Sequence, residues 1–159
     1  VAYTDNLSWT GYQTETRVSV SGNYSTYTGG AHPNSILMSW NFDLDAGEFF
    51  EPEILDEGGD FREYVHLALV KQARETAAAA GMTPKDFYWE DYEDTLAEWS
   101  SYAVSFDETG MTVGFSPYEL AAYAAGPQVF HLAYETLLPH LGQHGRALLG
   151  LEDGGQGTN

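Results

Sequence analysis

His140 and His144 stand four residues apart, the spacing that sets two imidazoles on one helical face in zinc-binding helices. Pro139, Gly142 and Gly145 interrupt any continuous helix there, and no Glu-x-x-His partner completes a ligand set. The expectation is therefore a frayed helix end with solvated histidines. Asp43-Leu-Asp-Ala-Gly-Glu48 begins like a calcium loop, but its glycine falls at the fifth position instead of the sixth, and Ile54 occupies the twelfth, where a glutamate is needed. It reads as a hairpin turn, with calcium held by the acidic loops left as an open alternative. Glu90-Asp91 and Glu93-Asp94 offer paired carboxylates. A glycosidase pair must face across a cleft with opposed pKa values, whereas neighbours in one run repel each other on a solvated face. There is no Gly-x-Ser-x-Gly elbow, phosphate-binding glycine loop or dinucleotide fingerprint. With no cysteine there is no disulfide, thiolate nucleophile or zinc-thiolate site. The expectation is a non-enzymatic protein, without cofactor or metal.

His32 lies in Tyr27-Thr-Gly-Gly-Ala-His-Pro-Asn34. Gly29 and Gly30 free two consecutive positions for positive φ, so the chain can turn sharply after Tyr27. Pro33 forces an extended conformation on His32. Two readings stand side by side: a required turn whose histidine caps a neighbouring carbonyl, or a rigid protruding loop presenting Ala31, His32, Pro33 and Asn34 to a partner. A second segment, Phe115-Ser-Pro-Tyr-Glu-Leu-Ala-Ala-Tyr-Ala-Ala-Gly126, has Ser116-Pro117 to stop a strand, a tight helical turn from Glu119 to Ala125, and Gly126-Pro127 to release the chain. Tyrosine and tryptophan join a stackable face to a polar handle, which suits protein interfaces and sugar binding alike. Eleven Tyr, eight Phe and four Trp exceed what a small core must hold, so a few at Tyr24 to Tyr27 or Pro117-Tyr118 are expected at the surface.

The elements that must position these segments follow from periodicity. From Thr14 the chain alternates, with Thr16, Val18 and Val20 on one side and Arg17, Ser19 and Ser21 on the other, as a half-buried strand does. It continues to Thr28 with an expected irregularity at Gly22-Asn23. Ile36 to Leu44 forms a second strand, closed by Asp45-Ala-Gly47. Residues 48–59 form an acidic loop with buried anchors. The main helix spans about 60–80, opened by a capping box of Asp60 and Glu63 and ended at Gly81. Phe61, Val65, Ala68, Leu69 and Gln72 mark its inner face. Thr83-Pro84 starts a short helix, and Glu90 to Trp99 carries another. Tyr102–Phe106 and Met111–Phe115 flank a hairpin turn at Asp107–Gly110. A strand over Gln128–Leu132 and a short helix over Tyr134–Leu141 complete an α+β fold: an antiparallel β-sheet with one main helix and a short C-terminal helix packed on it.

A chain of 159 residues suits one domain, expected over residues 1–150 with a flexible tail at 151–159. Twenty-four acidic against six basic side chains give a net charge of −18. That balance excludes a phosphate-backbone partner, hence nucleic acid, and disfavours anionic lipid, so membrane association would come through an anchor outside this chain. It either draws a strongly basic partner by long-range attraction or serves only to keep the protein soluble.

The quoted motifs resemble the domain-of-unknown-function family 3298. They are Tyr-x-Tyr-Thr-Gly-Gly-Ala-His-Pro leading to Asn-Phe-Asp-Leu-x-x-Gly, then Phe-x-Pro-Tyr-Glu-Leu-Ala-x-Tyr-Ala-Ala-Gly leading to Tyr134 and Leu137. The resemblance spans roughly residues 14–141 and is similar to the extracytoplasmic lysozyme-sensing domain of the anti-sigma-V factor. That family domain is often preceded by a further strand-and-helix region, for which residues 1–13 are too short, so the expectation is that it is missing here or that Val1 to Gly11 replaces part of it. The resemblance implies protein recognition without chemistry, at the cell surface or on a membrane-anchored protein, with a basic protein such as lysozyme as partner. The presenting surface it implies is Tyr27, Gly29, Gly30, Ala31, His32, Pro33 and Asn34 together with Ser116, Pro117, Tyr118 and Tyr123. The alternatives are a cell-wall glycan-binding module, or an accessory domain of a surface lipoprotein or wall-modifying enzyme.

Overall fold

The structure, a computed structural model, describes residues 2–151. It has two antiparallel sheets where a single sheet was expected. The first is a meander of β1 (Thr4–Gln13), β2 (Arg17–Tyr27), β3 (Asn34–Asp43) and the two-residue β4 (Glu48–Phe49). The second is β5 (Ala103–Phe106), β6 (Gly110–Phe115) and β7 (Gln128–Ala133). Between them in sequence come α1 (Asp60–Ala79), α2 (Pro84–Phe87) and α3 (Tyr92–Ala97); α4 (Tyr134–Leu137) and α5 (Gln143–Leu148) follow. The proposed tail over 151–159 lies, from residue 152 onward, outside the described residues.

The core sits between α1 and the second sheet. Phe61, Val65, Leu69 and Ala73 recur at helical spacing on α1 and are fully buried, meeting Trp99, Met111, Val113 and Phe115. Each fully buried side chain of this size contributes about 1.5–3 kcal/mol of transfer free energy. The helix ends as expected. Gly81 takes φ +72, and Met82 N–H donates to Ala77 O at 2.9 Å, satisfying a carbonyl of the last turn. Its start differs from the capping-box reading. Gly59 is the N-cap with φ +83, Asp60 is the first helical residue, and Asp56 Oδ1 accepts the Arg62 N–H at 3.1 Å.

The first sheet departs most from expectation. β1 is an added strand, and β2 runs without a break, Gly22 opposite Met38 and Asn23 opposite Leu37. A Cβ on Gly22 would come within 3.3 Å of Ser8 O, so glycine permits close pairing with β1 instead of a bulge. The alternation is real but inverted. Arg17 and Ser19 on β2, with Asn41 and Asp43 on β3, carry the buried side chains, whereas Val18 and Val20 share the outer face with exposed Trp9 and Trp40.

The inversion has a hydrogen-bonding reason. β5 pairs with β6 on one side and lays its other edge across the polar face of β2 and β3. Ser39 Oγ accepts from Val104 N at 2.8 Å, and Ser19 Oγ accepts from Phe106 N at 2.8 Å. Asn41 Nδ2 donates to Val104 O at 2.8 Å, while Ser19 Oγ donates to Asn41 Oδ1 at 2.7 Å. Side chains thus do for the β5 edge what a neighbouring strand would do, since a buried backbone group without a partner is costly.

Candidate functional site

Gly29 and Gly30 take φ +92 and +121, so the chain reverses after Tyr27 as their lack of a side chain permits. Tyr27 Oη closes the turn by donating to Gly30 O at 3.1 Å. His32 Nδ1 lies 2.9 Å from Pro33 O, the carbonyl-capping role foreseen for it. Ala31, Pro33 and Asn34 are exposed, and Asn34 already belongs to β3.

The second segment leaves β6 at Phe115. Ser116 N–H donates to Glu119 Oε1 at 2.5 Å, and Glu119 N–H returns to Ser116 O at 3.1 Å, a capping pair across the corner. Tyr118 between them has φ +76, the left-handed region in which a ring-bearing residue is strained. What holds it comes from the segment before α3: Trp89 Nε1 donates to Tyr118 O at 2.8 Å and Trp89 N to Leu120 O at 2.9 Å. The Tyr118 ring is left 56% exposed.

These two segments, far apart in sequence, meet. His32 stacks on Tyr123 with ring centroids 3.6 Å apart and planes 12° from parallel. Tyr118 stands 6.1 Å from His32 and 5.5 Å from Tyr123, tilted against both. Tyr123 Oη donates to Pro33 O at 2.8 Å, and Leu37 N–H donates to Ser116 Oγ at 2.8 Å, tying the corner to β3. Pro117 lies at the rim, half-buried. Of the predicted residues, His32, Tyr118 and Tyr123 form one aromatic cluster to which Pro33 is hydrogen-bonded, while Tyr27, Gly29 and Gly30 shape the turn that leads into it. Sequence reasoning missed Trp89 and Glu119. The Ser-x-x-Glu spacing could have revealed Glu119, whereas nothing in sequence marks Trp89.

Beside the cluster a cleft of about 560 Å³ runs along β3, with Glu51, Ser101, Tyr102 and Glu119 opposite Ile36 to Asn41. Glu51 and Glu119 make the wall negatively charged, and burial, with the charges of Glu119, Glu98 and Asp91, raises the Tyr102 hydroxyl above its ordinary pKa.

The other chemistry-bearing residues resolve into structural roles. His140 ends a short 3-10 turn while His144 lies in α5, so the two share no helix. His140 is docked and half-buried, its Nδ1 2.7 Å from Asp60 Oδ2 and its ring stacked on Tyr64 at 4.0 Å, whereas His144 is exposed to solvent as expected. Asp43 Oδ1 accepts from Asp45 N and Ala46 N, each at 3.0 Å, which makes the calcium-like segment a hairpin turn closed by Gly47 at φ +72. The Glu90–Asp94 run is not purely self-repelling. Arg74 beside Glu93, at 2.9 Å, together with the Tyr92 hydroxyl, holds that carboxyl below its ordinary range. Among the described residues no group of three or more histidine or acidic side chains gathers as a metal ion would need, and no helix is long and apolar enough to cross a membrane.

The architecture has solved counterparts. A crystal structure of a DUF3298 family member from Bacteroides fragilis is similar with a TM-score of 0.64 at 18% identity, over 92% of this chain and 57% of that one. Another DUF3298 family protein, from Pseudomonas aeruginosa, gives 0.61 at 17% identity, over 89% and 63%. The chain thus spans less than two thirds of either. No curated protein matches it. The profile described as "Protein of unknown function (DUF3298)" matches residues 49–135, which include the Ser116–Tyr123 corner but not the Gly29–Asn34 loop. By that match, over more than half its length, the chain belongs to the DUF3298 family.

Proposed function

We propose that this chain is an extracytoplasmic protein-recognition domain of a bacterial cell-surface protein, without catalytic chemistry, whose partner is a strongly basic protein of the lysozyme type. The observation that carries the reading is the meeting of two distant motifs in one rigid cluster, in which half-buried His32 and Tyr123 support the exposed Tyr118. Interface energy concentrates in a few preorganised aromatic anchors. Backbone strain at Tyr118, held by Trp89, is expected where a side chain is aimed at a partner. The net charge of −18 supplies long-range attraction for a basic surface. The choice of lysozyme as partner comes from the resemblance of the sequence motifs to the lysozyme-sensing anti-sigma-V domain.

Calorimetric titration with a c-type lysozyme at low salt tests the proposal. Association that weakens as salt rises, and that falls about tenfold in Tyr118→Ala, is expected. No association at low salt would remove lysozyme as the partner. A second reading is favoured by two exposed aromatic residues, Trp89 and Tyr118, joined through the Trp89 indole N–H to the Tyr118 carbonyl, since exposed aromatic faces suit stacking on a wall glycan. Cosedimentation with purified peptidoglycan, without added protein, would support that alternative.

A further inference from the structure

β4 pairs only with Phe42 and Asp43, so among the described residues the outer edge of β3 from Asn34 to Asn41 has no strand beside it. Successive residues of a strand turn their N–H and C=O groups to alternate sides. Phe50 N–H donates to Asn41 O and Leu37 N–H to Ser116 Oγ, so the odd-numbered residues face away from β2. Ser39, between them, turns both its N–H and its carbonyl outward, and Leu37 its carbonyl. These groups open into the 560 Å³ cleft, a volume within the range of about 300–1,000 Å³ usual for ligand sites. The open stretch between Leu37 and Asn41 is about 13 Å long at 3.3 Å per residue, room for a short extended segment.

The two sides of the cleft differ in chemistry. Ile36, Met38, Trp40 and Phe49 form an apolar side continuous with the outer face of the sheet. Glu51 and Glu119 supply negative charge, and no lysine or arginine lines the cleft. We infer that the β3 edge is a docking groove for an extended segment of a protein partner in which apolar and basic residues alternate. The segment adds as a strand through Ser39 and Leu37, lays its apolar side chains over Met38 and Trp40, and turns its cations toward Glu51 and Glu119. The inference rests on the reading of a protein-recognition domain but not on lysozyme as partner. A negative lysozyme titration beside a positive peptide titration would separate the two.

The probe is the blocked pentapeptide acetyl-Val-Lys-Val-Lys-Val-amide, with two controls methylated on alternate backbone nitrogens, one in each phase. All three carry the same charge, so general attraction to a −18 protein cannot distinguish them. Calorimetry and amide exchange followed by NMR should show the parent peptide binding, the Ser39 amide exchanging at least tenfold more slowly, and one methylated phase binding at least tenfold more weakly. Glu51→Lys should weaken the parent several-fold; Glu51 is exposed and its side chain makes no capping bond, so the fold is spared. Absence of binding by the parent, equal binding by all three peptides, or unchanged exchange at Ser39 would overturn the inference.

Discussion

The two faces of the first sheet reverse the usual arrangement of a half-buried sheet. The inner face carries Arg17, Ser19, Ser39 and Asn41, and its hydrogen bonds seal the edge of β5. The outer face carries Leu7, Trp9, Ile36 and Trp40, with Trp9 66% exposed and Arg17 only 1%. Burial follows what a face must contact, and a strand edge presents N–H and C=O groups that apolar side chains cannot satisfy. Apolar outward residues in turn form the kind of exposed patch that marks interaction surfaces. One face holds the fold together, while the other leaves large apolar side chains open to solvent.

Substitutions should separate these roles, most strongly at Arg17. Its guanidinium lies 5.8–5.9 Å from the rings of Tyr12, Phe106 and Tyr134 and donates to Tyr134 Oη at 2.6 Å. Burial raises the Tyr134 hydroxyl to about 12, against the opposing pull of Arg17. Arg17→Ala leaves a cavity among three rings and should cost about 2–4 kcal/mol in urea unfolding. Arg17→Met should cost less than about 1 kcal/mol, because it fills the space without burying a charge. If Met proves as damaging as Ala, the guanidinium and not its volume sustains this face.

Next in size is Asn41→Ala, which leaves Val104 O without a donor and the Ser19 hydroxyl without an acceptor and should cost about 1–3 kcal/mol. Trp9→Thr on the outer face should change stability by less than about 0.5 kcal/mol. A larger loss there would mean that the outer face supports the fold as well.

The smallest effect concerns pH at the β5–β6 turn. Burial pushes the Asp107 carboxyl up, but the Thr109 hydroxyl and the Thr109 and Gly110 N–H groups outweigh it and hold the pKa below its ordinary value. A depressed folded pKa adds stability above the unfolded pKa, about 3.9 for Asp, which is lost as pH falls through the folded value. The stability gap between the parent and Asp107→Asn should therefore be constant at neutral pH and shrink below about pH 4, as urea midpoints would record. A gap independent of pH would contradict the assignment.

Elements with self-contained signals were legible in the sequence. The Phe61–Val65–Leu69 stripe located α1, and Asp107 to Gly110 located the β5–β6 hairpin. β1 was not, because Asp5, Asn6, Ser8 and Gly11 dilute its alternation. The inversion was not either: period two states that a strand has two faces, not which one meets the rest of the molecule. The candidate site was legible in halves. The Gly-Gly-Ala-His-Pro turn and the Pro-Tyr corner each carry local punctuation, whereas the stacking of His32 on Tyr123 depends on tertiary packing that no spacing encodes.

Native-state amide exchange tests the division of the sheet most directly, because one experiment reads both of its roles. The Val104 and Phe106 amides, bonded to Ser39 and Ser19 side chains, should exchange only through global unfolding. The Ser39 amide, on the same sheet but facing the cleft, should exchange orders of magnitude faster. Rapid exchange at Val104 and Phe106, or protection of Ser39 equal to theirs, would contradict the account.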